Sequence, residues 1–397
     1  MSKKRHQIEE SELQGFKYFK AISGMLESLH KAGCQRDRPG NRKLHMDQYM
    51  SLLLLYMFNP ICTSLRAIQQ ASELKKVQRK LGCPRASLGS LSEAATVFDS
   101  ALMQDIVTEL SDQLSPISSN AKLDDLAAIL TAVDGTLINA LPKMTWALWQ
   151  NQHNAIKAHT QFDIEKHVPV KITITHANAS EIEVLAQNLE PGRIYVKDRG
   201  YVSLALFEQI LQASSSFVCR LKDNSVYECL QDYELTSDSL AAGIVFDKKI
   251  RLGCSRKTKE QLSVPVRLIA IKCRPHKKRH RTALGGPEQG EMLLIVTDIF
   301  DLEADVIALI FRHRWAVEIF FRFFKHVLGC RHLLSYDRNG IELQTYAAII
   351  ACMLIALWTG RKPTLRTYEM LCWYFTGMAD EEELVGHIQH LRLQKLA

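Results

Sequence analysis

Residues 311–328, FRHRWAVEIFFRFFKHVL, are the stretch from which we interpret the rest of the chain. The stretch contains no glycine or proline, and its periodicity predicts one continuous helix. One line along that helix carries a carboxylate between cations, and the opposite side is apolar. The side with the carboxylate carries Phe311, Arg314, Glu318, Arg322 and Lys325. The apolar side carries Ala316, Phe320, Phe323, Phe324 and Val327. A surface helix with ordinary ion pairs and a metal-bound phosphate site both fit this pattern, and the helix alone does not decide between them.

Length, composition and charge are those of an ordinary globular protein. The chain has 397 residues, 47% of them apolar and 23% charged, which is enough for two or three domains. Its net charge of +7 indicates an anionic partner only weakly. The ten cysteines form no Cys-x-x-Cys pair, so we predict reduced thiols in a cytoplasm. The apolar runs at 51–58 and 347–358 are too short to span a bilayer, and we predict no membrane partner.

The N-terminal region, residues 1–123, has a helical pattern and carries most of the excess positive charge. Its first 122 residues contain 17 Lys and Arg against 12 Asp and Glu. Short helices broken by turns, for example across Thr63–Ala95, are compatible with a helix-turn-helix. A solvated helix face explains any single basic cluster better than a DNA contact does. We therefore assign DNA contact to the region and to no particular side chain.

A buried strand is predicted at 127–133, AAILTAV, immediately before Asp134-Gly135-Thr136. Asp134 is then either a turn residue or a ligand at the tip of this strand. The elements predicted next are strands at 157–163 and 168–175, a helix at 180–189, a strand at 193–197, a helix at 203–211 and a strand at 217–221. The strand at 193–197 leads into Asp198, which fits a turn, a helix cap or a ligand.

The segment from 223 to 302 is predicted to be mainly β, with strands at 243–252, 264–273 and 292–297. It contains the densest basic run of the chain, 272–281, KCRPHKKRHR. We favour a basic loop that enters a DNA groove, with Lys277, Lys278 and Arg279 as phosphate contacts, over a solvated loop. After the 311–328 stretch, residues 341–358 are predicted to form a buried helix, and the tail from 364 is predicted to be helical.

The spacing Phe311 (2) Arg314 (3) Glu318 (6) Lys325 resembles the Y(2)R(3)E(6)K signature of DDE transposases of the insertion-sequence-4 family. Phe311 stands where that family has Tyr, so a hydroxyl is missing. Residues 133–136, VDGT, and 198–201, DRGY, resemble the motifs of the family's first and second acids. The resemblance implies an α/β fold with a ribonuclease H-like core, of the retroviral integrase type. Its implied divisions are a helical DNA-binding domain at 1–123, the core at 124–222 and 303–360, a β-rich insertion at 223–302 and a helical C-terminal segment at 361–397.

The resemblance also implies a chemistry. Asp134, Asp198 and Glu318 are expected to hold two Mg²⁺ ions, with Mn²⁺ able to substitute. Arg314 and Lys325 are expected to contact phosphates, whereas Arg322 fits a phosphate contact and a structural ion pair equally well. The implied function is cut-and-paste transposition of an insertion sequence in a bacterial cytoplasm. Its implied partners are the double-stranded terminal inverted repeats, target DNA and a second copy of the chain in a synaptic complex.

Two other functions remain open on the sequence. A stand-alone metal-dependent nuclease with the same core would cut DNA without strand transfer. A catalytically silent DNA-binding regulator derived from a transposase would bind element ends only, although the presence of all three acids argues against it.

Overall fold

The computed structural model describes residues 25–32, 42–117, 122–123, 126–141, 143–150, 153–253, 261–272, 292–330 and 332–393. These residues form a mixed α/β structure with one large sheet. The strands are β1 Ile129–Asn139, β2 Leu148–Gln150, β3 His153–Asp163, β4 Val168–His176, β5 Arg193–Lys197, β6 Ser216–Arg220, β7 Tyr227–Asp232, β8 Ile244–Leu252, β9 Val266–Lys272 and β10 Met292–Thr297.

The helices lie before, between and after these strands. Those of the N-terminal region are α1 Leu29–Ala32, α2 Met46–Phe58, α3 Leu65–Ser72, α4 Lys75–Leu81, α5 Leu88–Val97 and α6 Met103–Gln113. Those within and after the sheet are α7 Glu181–Ala186, α8 Leu204–Gln212, α9 Ser237–Ala242, α10 Ala304–His313, α11 Ala316–His326, α12 Arg338–Thr359, α13 Leu365–Thr376 and α14 Glu381–Leu393. Short 3₁₀ turns occur at Ser100–Leu102, Thr145–Ala147 and Arg199–Tyr201.

The sheet has ten strands in the order β2-β3-β1-β5-β6-β10-β9-β8-β7, and β4 pairs with β3. β1, β3 and β4 pair antiparallel, whereas β5 and β6 run parallel to β1. Because a parallel connection needs a crossover, α7 lies between β4 and β5, and α8 lies between β5 and β6. The predicted order of strands and helices in this part of the chain is confirmed, and β2 is an additional short strand that the sequence pattern did not indicate.

The predicted strands of the 223–302 segment are also present, and β7 is an additional strand that the sequence pattern did not indicate. β10 pairs with β6, and β9, β8 and β7 follow outward, so these strands extend the sheet of β1–β6. The basic residues Lys277, Lys278 and Arg279 lie outside the described residues.

The two faces of the sheet are covered by different helices. Leu130, Ala132 and Val196 belong to a large apolar cluster that also contains residues of α2, α6, α11 and α12. Val133, which follows Ala132, and Tyr195, which precedes Val196, belong to a second cluster with residues of α8. Side chains alternate across a strand, so this division tells which face each neighbouring residue occupies.

Helix α12 has 22 residues and is long and apolar enough to cross a membrane by length and composition. The apolar run at 347–358, on which the sequence prediction was based, is shorter than this helix. Of its most apolar window, 83% is buried inside the protein. It contacts β4 and the N-terminal helices α2, α5 and α6. Its role as a buried core helix, predicted from the sequence, is confirmed.

The prediction of one continuous helix at 311–328 is wrong, because α10 ends at His313 and α11 begins at Ala316. The amide of Arg314 bonds to the carbonyl of Phe311 (3.1 Å) and that of Trp315 to the carbonyl of Arg312 (3.4 Å), a three-residue spacing that tightens the chain into a turn. No glycine or proline marks this break. The side chain of Arg314 points from the turn toward β1, a tertiary contact that hydrophobic periodicity cannot indicate.

Strand β1 also differs from its prediction. It continues to Asn139 and remains paired with β3 as far as that residue. Asp134 and Gly135 therefore lie within a strand, and the interpretation of this Asp-Gly pair as a turn is wrong. Only the pairing of β1 with β5 stops before Asp134, at Ala132.

Candidate active site

Asp134 and Asp198 lie at corresponding positions on neighbouring parallel strands. The last paired residues of β1 and β5 are Ala132 and Val196, and each acid follows two residues later. Strand alternation places Asp134 on the face of the sheet that carries Ala132. The backbone of Asp198 is still extended, with φ −85° and ψ 172°, so the alternation of β5 continues to this residue and places it on the face that carries Val196. This is the face that α11 covers.

Glu318 is joined to Asp134 by the guanidinium group of Arg314. Nη2 of Arg314 donates to Oε1 of Glu318 at 2.7 Å, and Nη1 lies 3.7 Å from Oδ2 of Asp134. The Arg314 side chain is only 12% exposed, so solvent screens these contacts weakly. The break between α10 and α11 thus places Arg314 between two acids that are 184 positions apart in the sequence.

Burial raises the pKa of Asp134 to about 6. Arg314 and the amide of Gly135, which donates to Oδ1 of Asp134 at 2.8 Å, oppose this rise. The carboxylates of Glu318 and Glu181 increase it further. Negative charge is therefore concentrated at a poorly solvated position, where a cation is the natural partner.

Asp198 directly follows β5 and precedes the turn Arg199–Tyr201. Its carbonyl accepts from the amide of Tyr201 at 3.0 Å, but its side chain does not cap this turn. The cap of the following helix α8 is Ser203, whose hydroxyl accepts from the amide of Leu206. The interpretation of Asp198 as a cap is therefore wrong, and its carboxylate remains available to a ligand.

The donor chemistry of Asp134, Asp198 and Glu318 fits a hard divalent cation, which prefers carboxylate oxygen and water. Within the described ranges, however, no group of three or more His, Cys, Asp or Glu side chains is close enough together to hold a metal ion. The structure brings Asp134 and Glu318 to the same guanidinium group and Asp198 to the same face of the sheet. A cation that binds these acids competes with Arg314 for two of them.

The predicted phosphate contacts have different environments. Arg314 faces the acids, with its guanidinium carbon 5.9 Å from the ring centre of Phe311. Lys325 is partly buried, which lowers its pKa. Arg322 is exposed and has no ion pair with any described residue, which does not support its interpretation as a structural ion-pair partner.

Two neighbours of Asp134 were not singled out by the sequence. Thr160 is its cross-strand partner on β3, and the buried Thr160 hydroxyl has no hydrogen-bond partner among the described residues. Glu181, at the start of α7, pairs with Lys157 at 3.1 Å and lies close to Gly135. A Cβ atom at position 135 would lie 2.8 Å from Oε1 of Glu181, so the glycine leaves room for this carboxylate. Neither residue belongs to a local motif, since strand pairing and helix packing bring them to Asp134.

The chain belongs to the transposase DDE domain family, whose model matches residues 126–354. This range begins just before β1 and ends within α12, and it includes all three acids. Membership of this class of DNA transposases agrees with the resemblance found in the motifs around Asp134, Asp198 and Glu318.

Individual proteins agree with this assignment. The "Probable transposase for insertion sequence element IS5377" of Geobacillus stearothermophilus is 29% identical over 231 residues, which are 57% of this chain and 55% of that protein. The "Putative transposase for insertion sequence element IS4SA" of Synechocystis sp. is 22% identical over 315 residues, which are 78% and 81% of the two chains. The chain thus spans only about half the length of the Geobacillus stearothermophilus protein.

A solved piggyBac transposase synaptic complex with hairpin DNA has 11% sequence identity and a TM-score of 0.43, covering 98% of this chain and 86% of that one.

Proposed function

We propose that this chain is the transposase of an insertion sequence and that it cleaves and joins DNA with divalent metal ions in cut-and-paste transposition. The observation that carries the proposal is the placement of Asp134 and Asp198 at matching positions of adjacent parallel strands, under the helix that carries Glu318. Family membership and the relatives named as transposases of insertion sequences support it.

The proposal includes a ribonuclease H-like catalytic core formed by residues 124–222 and 303–360. The order of three antiparallel strands followed by two parallel strands with intervening helices supports it. We assign residues 223–302 to a β-rich insertion, 1–123 to a DNA-binding domain and 361–397 to a helical C-terminal segment. The signature spacing in α10 and α11 and the similarity to the IS4SA transposase support assignment to the insertion-sequence-4 group.

Asp134, Asp198 and Glu318 are the residues proposed to hold the metal ions, as two Mg²⁺ or Mn²⁺. Such a pair of ions supplies charge stabilisation at the attacking and leaving oxygens of a phosphodiester. Arg314, close to both Asp134 and Glu318, is proposed to neutralise these acids and to orient Glu318 toward β1. Arg322 and Lys325 follow on the same helix and are proposed to contact the phosphates beside the cleaved bond.

The proposed partners are double-stranded terminal inverted repeats and target DNA. Lys277, Lys278 and Arg279 remain proposed DNA contacts from the sequence alone. We propose a homodimer for the synaptic complex and the bacterial cytoplasm as the compartment.

The test is incubation of the protein with Mg²⁺, DNA carrying the element ends and a target plasmid. Joined products are expected for a transposase. Nicks without joining would indicate the stand-alone nuclease, and end binding without any cleavage would indicate the silent regulator.

Single variants test the site itself. Asp134→Asn, Asp198→Asn and Glu318→Gln should each abolish cleavage but leave the DNA dissociation constant within about threefold, because each change removes a carboxylate and preserves its shape. Asp223→Asn, which neutralises an exposed carboxylate, is the matched control and should cleave like the wild type. Full cleavage by any of the three variants would remove that residue from the site.

A further inference from the structure

The three parallel strands β1, β5 and β6 carry charged residues in one line at their carboxyl ends. The pairing registers align Ala132 of β1, Val196 of β5 and Val218 of β6. Asp134 and Asp198 each lie two residues beyond this line, and the residue two positions beyond Val218 is Arg220, the last residue of β6. Open α/β sheets bind their ligands outside the carboxyl ends of their strands. The register therefore adds a cation to the row of acids, next to Asp198.

Arg220 lies on the same face of the sheet as the two acids. Its cross-strand partner on β10 is Ile295, and directly paired residues of antiparallel strands share a face. Ile295 and Val218 both belong to the apolar cluster that contains residues of α10 and α11, whereas Cys219 belongs to the cluster on the opposite face. The placement of Arg220 thus follows from the pairing of β6 with both of its neighbours.

The guanidinium group of Arg220 has no partner within the part of the chain that the structure describes. Arg220 is partly buried, and its side chain forms neither a hydrogen bond nor an ion pair there. The carboxylate of Asp198, on the next strand, likewise has no ion pair with a described residue. Arg314 differs, because it donates to Glu318 and lies 3.7 Å from Asp134. One arginine of the site is therefore bound to the acids, and the other is available to an anion.

The chemistry of Arg220 fits a phosphate. A guanidinium group presents a planar fork of N–H donors that matches two phosphate oxygens at once. Its charged neighbour in the row, Asp198, is proposed to hold a metal ion and is then not available as a partner. DNA, the proposed substrate, carries a negative charge on every phosphate, so its backbone supplies the anion.

We infer that Arg220 binds one phosphate of the DNA beside Asp198, at the end of the row of acids away from Arg314. The inference rests on the proposed function, because it requires DNA to lie across this face of the sheet. With Arg314 beside Asp134 and Arg220 beside Asp198, the acids have a cation at each end. Phosphate contacts fix the register of a protein on DNA, so Arg220 positions the DNA backbone over the acids.

Replacing single phosphates of the DNA with neutral methylphosphonates tests this contact. The probe is a duplex that carries the element end, taken from the DNA that flanks the coding sequence, and binding is read by fluorescence anisotropy. Arg220→Gln should raise the dissociation constant of the unmodified duplex about tenfold, the scale of one hydrogen bond to a charged group. It should also reduce the slope of log Kd against log salt concentration by about 1.

The two changes should not be independent at the contacted phosphate. In the wild type, one methylphosphonate position should weaken binding about tenfold, whereas Arg220→Gln should lose less than about twofold at that position. Each loss is a ratio of dissociation constants for one protein preparation, so partial unfolding of the variant cancels. Losses that multiply at every position would overturn the inference.

Lys222→Gln is the matched control, because Lys222 is an exposed cation in the loop that follows β6. It removes the same charge but should raise the dissociation constant less than about twofold and should couple to no phosphate. Arg220→Lys retains the charge without the planar fork and should recover part of the affinity. Equal losses in Arg220→Gln and Lys222→Gln would show a general effect of charge and would contradict the contact.

These measurements distinguish failure of the inference from failure of the proposed function. Binding needs no cleavage, so a silent regulator that binds element ends on this face would still show the coupling at one phosphate. A protein that joins DNA ends but shows no coupling between Arg220 and any phosphate would keep the proposed function and lose this inference.

Discussion

Replacing Asp134 with Asn is expected to stabilise the protein in the absence of divalent metal, by an amount that depends on pH. Burial raises the pKa of this carboxyl from 3.8 to about 6 in the folded protein. The unfolded chain keeps the lower pKa. Between these values the folded state holds a proton that the unfolded state has lost, so the free energy of unfolding falls as pH rises from about 4 to 6. Above pH 6 the carboxylate is ionised in both states and its full cost is present.

The size of the effect follows from the two pKa values. The difference between 3.8 and about 6, at 1.36 kcal/mol per pH unit, gives about 3 kcal/mol as an upper value. The Asp134 side chain is 26% exposed, and Arg314 loses one of its two partners in the variant, so we expect a gain of about 1–3 kcal/mol at pH 7.5. Asparagine retains the shape and the contact with the Gly135 amide without the charge.

The measurement is urea unfolding of both proteins in a chelating buffer at pH 4.5, 6 and 7.5. The difference between Asp134→Asn and the wild type should be about a third of its full size at pH 4.5 and should reach its full size by about pH 7. Asp223→Asn should change the free energy of unfolding by less than about 0.5 kcal/mol at each pH, as expected for an exposed position. A destabilised Asp134→Asn protein at pH 7.5, or a difference that does not change with pH, would refute the reasoning.

Three further predictions concern packing and charge around the site. Gly135→Ala places a Cβ atom 2.8 Å from Oε1 of Glu181, and thermal denaturation should show a loss of about 1–3 kcal/mol that Glu181→Ala relieves; a loss unchanged by the second substitution would exclude this clash. Arg267→Met leaves Asp247, which is 3% exposed, without its ion-pair partner, so urea unfolding should show a loss of about 3–5 kcal/mol that Arg267→Met/Asp247→Leu largely recovers. If the double variant is no more stable than the single one, the unpaired charge is not the cause. Lys325→Ala should slow single-turnover DNA cleavage without abolishing it, and a rate equal to that of the wild type would make Lys325 structural.

Local chemistry was sufficient to predict much of the core. The limits of β5 and β10 match their predicted ranges, and the capping residue of α7 is the predicted Ser180. Such features depend on strand-length apolar runs, turn residues and capping hydroxyls, all of which act between near neighbours. The three acids were selected through the resemblance of their motifs to those of DDE transposases, because local chemistry alone left Asp134 and Asp198 open between a turn, a cap and a ligand.

Contacts between distant segments could not be predicted in this way. The helix break at Arg314 and Trp315 has no local signal, because the neighbouring residues retain a helical pattern. Thr160 and Glu181 are ordinary residues in sequence and become neighbours of Asp134 only through strand pairing and the packing of α7. The continuation of the sheet from β6 into β10 likewise depends on a pairing between segments about 80 residues apart.

The sequence by itself determined which residues carry charge and which segments form strands and helices, because periodicity and capping are properties of consecutive residues. Only the tertiary structure decided which acids meet, which cation lies between them and which polar atoms are buried without a partner. Those outcomes depend on β1 and β5 pairing in one register and on α11 packing across β1. Both are determined by the burial of apolar side chains drawn from the whole chain.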